Sequence, residues 1–84
     1  MDTLDYAKLG IEAEAFLRSS LGKYMITRAD EIIENETQNL INCDAFDTEA
    51  NRDIRNEIRI AQLFKDFIKA VIEDGQAATE QLDK

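Results

Sequence analysis

The chain has 84 residues, a formal net charge of −8 and 44% hydrophobic residues, with a single cysteine, no histidine and no proline. That length leaves no room for a second domain, and the apolar content is too high for disorder, so one small domain over residues 1–75 is expected, followed by a polar tail over 76–84 that frays. One cysteine excludes an internal disulfide, and the absence of histidine excludes a cysteine–histidine zinc site and imidazole acid–base catalysis.

No apolar run approaches the roughly 18 residues of a membrane span, and Met1-Asp2-Thr3-Leu4-Asp5 lacks the basic start of an export signal. The expectation is a soluble, cytoplasmic protein made without export. A net charge of −8 opposes direct contact with phosphate backbones, which need clustered Lys and Arg. The charge serves solubility, or faces a basic partner.

In chain order, Gly10, Gly22 and Gly75 stand like punctuation between helix-forming stretches. Ile11 to Arg18 is rich in strong helix formers and predicts a short helix over about 11–18. Ser19-Ser20-Leu21-Gly22 mixes capping hydroxyls with glycine and predicts a bend. From Leu21 onward, Tyr24, Met25, Ala29, Ile32, Ile33, Leu40 and Ile41 recur at three- and four-residue steps, predicting a long helix over about 20–42.

Asn42 to Asp47 breaks that pattern, and Asp47 or Thr48 is placed to cap the next helix. So short a connection makes the two long helices antiparallel neighbours. The last helix is expected over about 48–74, with Ala50, Ile54, Ile58, Ala61, Phe64, Ile68, Val71 and Ile72 on one stripe and Gly75 as its terminator. The predicted fold is all-α: a long antiparallel helical hairpin with a short N-terminal helix packed across its open end.

In the second half of the last helix the apolar stripe widens, because Ile60, Leu63 and Phe67 lie beside it rather than within it. Either the short first helix folds over this region, with Phe16, Leu17 and Ile11 completing a core, or the three residues stay exposed as a subunit interface. Arg52, Arg55 and Arg59 form a basic row at helical spacing on the same helix. Solvated ion pairs with Asp30, Glu31 or Glu34 account for the row; a charged contact strip for an acidic partner or a neighbouring copy is the functional alternative. Arg28 falls on the apolar stripe of its helix, and counting across the hairpin predicts a partly buried ion pair with Glu57 that fixes register.

No constellation of catalytic type stands out. The glycine-rich phosphate loop and the nucleophile elbow are both missing, and Asp30/Glu34 has no histidine to complete a two-metal motif. Asp44 and Asp47 lack the alternating oxygens and distal Glu of a calcium loop, and capping accounts for both. The expectation is a protein that is not an enzyme and takes no metal or cofactor.

The run from Phe16-Leu17-Arg18-Ser19-Ser20-Leu21-Gly22-Lys23-Tyr24 to Ala29, with Asn56-Glu57-Ile58-Arg59 downstream and Phe67-Ile68-Lys69-Ala70-Val71-Ile72-Glu73-Asp74-Gly75 at the close, resembles a group of small helical proteins encoded by tailed bacteriophages and prophages. That group sits among virion genes and has no assigned activity. The resemblance implies a helical hairpin of phage origin and brings no catalytic residues.

Three functions follow as expectations. The leading one is a phage or prophage accessory or structural protein whose helices assemble with another copy or with a virion or host protein. Its contacts would be Ile60, Leu63 and Phe67, with Arg52, Arg55 and Arg59 as a charged strip. The second is an acidic mimic of nucleic acid, inhibiting a host enzyme through Asp30, Glu31, Glu34, Asp66, Glu73 and Asp74. The third, a DNA reader using the arginine row, suits neither so long a helix nor so negative a field.

Overall fold

The computed structural model describes all residues, 1–84, and holds three α-helices and no strand: α1 (Thr3–Arg18), α2 (Ser20–Asn42) and α3 (Thr48–Leu82). The protein is all-α.

α1 starts well before Ile11, at a cap the sequence reading passed over. The Asp2 carboxylate accepts from the Asp5 backbone N–H at 2.9 Å while the Asp5 carboxylate accepts from the Asp2 N–H at 3.2 Å. This reciprocal pair satisfies two of the N–H groups a helix start leaves open, with Asp in the position where Glu or Gln is usual.

α1 and α2 are separated by one residue. Ser19 is extended, with φ −72° and ψ 159°, and it both closes α1 and opens α2. Its backbone N–H donates to the carbonyls of Ala15 and Phe16, its hydroxyl donates to the Phe16 carbonyl, and its Oγ accepts from Gly22 N at 3.0 Å. Gly22 is buried against that joint, since a Cβ there would fall on the Phe16 carbonyl.

The connection from α2 to α3 is pinned by side chains. Asp47 caps α3 by accepting from Ala50 N at 3.1 Å, and Asn51 Nδ2 donates to the carbonyls of Asp44 at 2.9 Å and Asp47 at 2.8 Å. Asp44 Oδ1 accepts from Phe46 N at 2.9 Å, the local bond that makes Asp a favoured turn residue.

α3 does not stop at Gly75. It continues to Leu82, so the residues expected to fray are helical. No glycine has a positive φ, and Gly10 and Gly75 both lie inside helices, where they serve close approach rather than termination. A Cβ on Gly10 would sit 2.7 Å from Gly75 Cα, and one on Gly75 would sit 2.6 Å from Gly10 Cα. Missing side chains let two backbones meet, a use of glycine distinct from its role in turns. α1 therefore lies along the C-terminal turns of α3, while α2 faces the N-terminal half, with Asp30 of α2 paired to Lys65.

The fully buried residues are small, and Ile54, Ile58, Phe64, Ile68, Val71 and Ile72 of α3 are half-buried around them. Ala7, Ala13, Ala29, Ala61 and Ala78 are buried with the three glycines, and no large side chain is fully buried. The molecule measures 56 × 25 × 16 Å with a radius of gyration of 17.1 Å, against about 12 Å for a compact chain of this length. Its accessible surface is 6383 Å², whereas a globular monomer of this mass presents about 5,100 Å².

Candidate interaction surface

α2 and α3 lie side by side and leave a shallow hollow on each side of the pair. One side carries polar contacts: Lys65 Nζ with the Asp30 carboxylate, Gln62 Nε2 donating to Asp66 Oδ1 at 3.0 Å, and Lys69 with Glu73 at 3.9 Å. Ile26 and Ile68 lie between these groups, lining one shallow hollow with Lys65, Lys69 and Gln62.

The other side is mixed, with Asn35 and Glu36 beside its apolar residues. Ile32 and Arg28 of α2 share a depression of about 420 Å³ with Glu57 and Ile60 of α3, which fixes these residues on one side of the pair. Leu21 and Met25 stand seven and three residues before Arg28 and follow that side of α2, whereas Tyr24 lies about 160° around the helix from Ile26 and points away from α3. Leu63 and Phe67 continue the stripe of Ile60 along α3 by the same spacing. Ile60 is 67% exposed, Phe67 66%, Tyr24 66% and Leu63 41%. The first helix does not cover Ile60, Leu63 and Phe67, because the contact between Gly10 and Gly75 holds it further along α3. Of the two placements open for these residues, the exposed one is found.

The arginine row is exposed throughout. Two of its three expected partners are engaged elsewhere, Asp30 with Lys65 and Glu31 with Arg28, and the third, Glu34, pairs with none of the three arginines. Arg52 reaches only its neighbour Asp53, at 3.9 Å. At 100° per residue, Arg52 lies about 20° and Arg59 about 40° from Leu63 around the helix, whereas Arg55 is about 80° away. Arg52 and Arg59 thus border the apolar stripe, and Arg55 sits with Arg52, Thr48, Asn51 and Asn56 around a separate polar hollow near the turn.

The expected pair between Arg28 and Glu57 does not form. Arg28 Nη1 donates to Glu31 Oε2 at 3.3 Å, one turn along its own helix, with its side chain 55% exposed. Arg28 and Glu57 share the rim of one open depression, and a guanidinium left in water takes the nearest carboxylate. The inter-helix pair is Lys65 with Asp30, which spacing along either helix alone does not signal.

At the end of the molecule away from the turn, Asp2 and Asp74 line one open hollow with Tyr6 and Ala78. No three His, Cys, Asp or Glu side chains gather in a metal-binding group. No helix is long and apolar enough to cross a membrane. No protein-family model matches the chain, and neither a curated protein nor a solved structure does.

Proposed function

We propose that the protein is a non-enzymatic accessory or structural protein of a phage or prophage, working as a helical hairpin that assembles with another protein through the exposed apolar stripe of α3. The observation carrying this is that stripe: Ile60, Leu63 and Phe67 stand in water while no large side chain of the chain is fully buried. An exposed apolar stripe of this kind marks a contact surface, and a chain this small has little core of its own. Phage origin rests on the sequence resemblance alone.

The test is Leu63→Asp with Phe67→Asp, read by light scattering for mass and by circular dichroism for helix content. Loss of the assembled species with helix content kept supports the proposal. Loss of helix content assigns the residues to folding and overturns it. The acidic-mimic alternative is less favoured, because Asp30, Glu31, Asp66 and Glu73 each have a partner within the chain.

A further inference from the structure

We infer that the partner on this apolar stripe is a second copy of the chain, docked antiparallel about a two-fold axis that passes beside Leu63. The inference rests on the assembly role proposed above and names its partner.

Area comes first. The chain presents about 1,300 Å² more surface than a globular monomer of its mass, and a standard interface buries about 800 Å² on each partner. Ile60, Leu63 and Phe67 supply the exposed large apolar side chains of the α3 stripe that such an interface would cover.

Charge then selects the arrangement. Arg52 and Asp74 are exposed, each eleven residues from Leu63 in opposite directions along α3, and each about 20° from it around the helix. An antiparallel two-fold at Leu63 brings Arg52 of one copy level with Asp74 of the other, twice. Arg59 comes level with Asp66 of the other copy on the same edge of the seam. A parallel two-fold would instead set Arg52 beside Arg52 and Asp74 beside Asp74. Opposite charges steer and fix register, whereas like charges across an interface oppose it. A two-fold contact is self-complementary by construction, and this stripe meets that condition in both apolar spacing and sign of charge.

The experiment uses the full chain with Cys43→Ser, adding single cysteines under mild oxidation. Leu63→Cys should form a disulfide-linked dimer. Arg52→Cys alone should not, since its two copies lie about 33 Å apart at 1.5 Å per residue, but mixed with an Asp74→Cys chain it should give the crossed dimer. Arg52→Glu should weaken association about fivefold, because the pair occurs twice, and Asp74→Arg in the same chain should restore it. Self-linking of Arg52→Cys, or no rescue by Asp74→Arg, overturns the antiparallel arrangement. A chain that stays monomeric to about 1 mM, with helix content intact in Leu63→Asp, overturns the second copy while leaving an assembly surface for a foreign partner. Unfolding of Leu63→Asp overturns both.

Discussion

Gly10 of α1 and Gly75 of α3 meet backbone to backbone, so closely that a Cβ on either would stand 2.7 Å or 2.6 Å from the other's Cα. Ala7, Ala13 and Ala78 are buried in the same two helices, and together these residues fix how near the first helix lies to the third.

In an open helix, Gly→Ala stabilises by about 1 kcal/mol through helix propensity. At this crossing the sign reverses. Gly75→Ala must push the helices apart and is expected to destabilise by about 1–3 kcal/mol, as overpacking does. Thermal unfolding followed by circular dichroism measures this, and a raised Tm for Gly10→Ala or Gly75→Ala would show that the helices do not approach this closely.

The joint at Ser19 makes a graded prediction. Ser19→Ala removes the cap on α2 and should cost about 1 kcal/mol. Gly22→Ala should cost more, because its new methyl would lie on the Phe16 carbonyl and no side-chain rotation relieves a clash with backbone. Comparing the two denaturation midpoints is sufficient: equal losses would mean that capping alone sets the bend.

At the other end, Asn51 donates to two carbonyls of the turn. Asn51→Ala should destabilise by about 1 kcal/mol, because it removes one hydrogen bond from each carbonyl, while the backbone N–H of Asp47 still donates to Asp44 and that of Asn51 to Asp47. Faster amide hydrogen exchange would then be confined to residues near the turn. Exchange accelerated equally in α1 would show that Asn51 acts on the whole fold.

The ion pair of Lys65 with Asp30 spans two helices, yet the side chains are 33% and 54% exposed. Solvent screening limits such a pair to about 0–1 kcal/mol. Lys65→Met should lower stability by no more than that amount. A loss of several kcal/mol would mean that the pair is far better shielded than its exposure indicates.

The helical character, the bend near Ser19 and the cap at Asp47 were legible in the sequence, because each depends on residues close in the chain. The interior was legible on α3, where every residue of the expected stripe from Ala50 to Ile72 is buried or half-buried, and only partly on α2. Ala29 and Ala61 lie on the stripes that periodicity picks out, but Tyr24 and Met25 at the same steps are exposed, because periodicity marks an apolar arc without saying which part of it meets the neighbouring helix. Gly10 and Gly75 look like terminators for a related reason: glycine ends a helix or admits a second backbone, and only the residue opposite decides which. The partner of Arg28 was misjudged because a count across the hairpin fixes level along the axis but not depth. Of the candidate contact residues, the spacing singled out Ile60, Leu63 and Phe67 as lying off the core stripe, while whether α1 covered them depended on where α1 lies along α3.

Large apolar side chains left in water have a thermal consequence. The heat capacity of unfolding comes mainly from apolar surface newly wetted, and an ordinary chain of this length would show about 1.0–1.3 kcal/mol/K. Here the largest apolar side chains are already wet before unfolding begins, so an isolated copy should fall below that range. Its stability curve would then be shallow and broad, varying little between refrigerator and body temperature, with the steep curvature of a well-packed domain acquired only when the exposed stripe is covered.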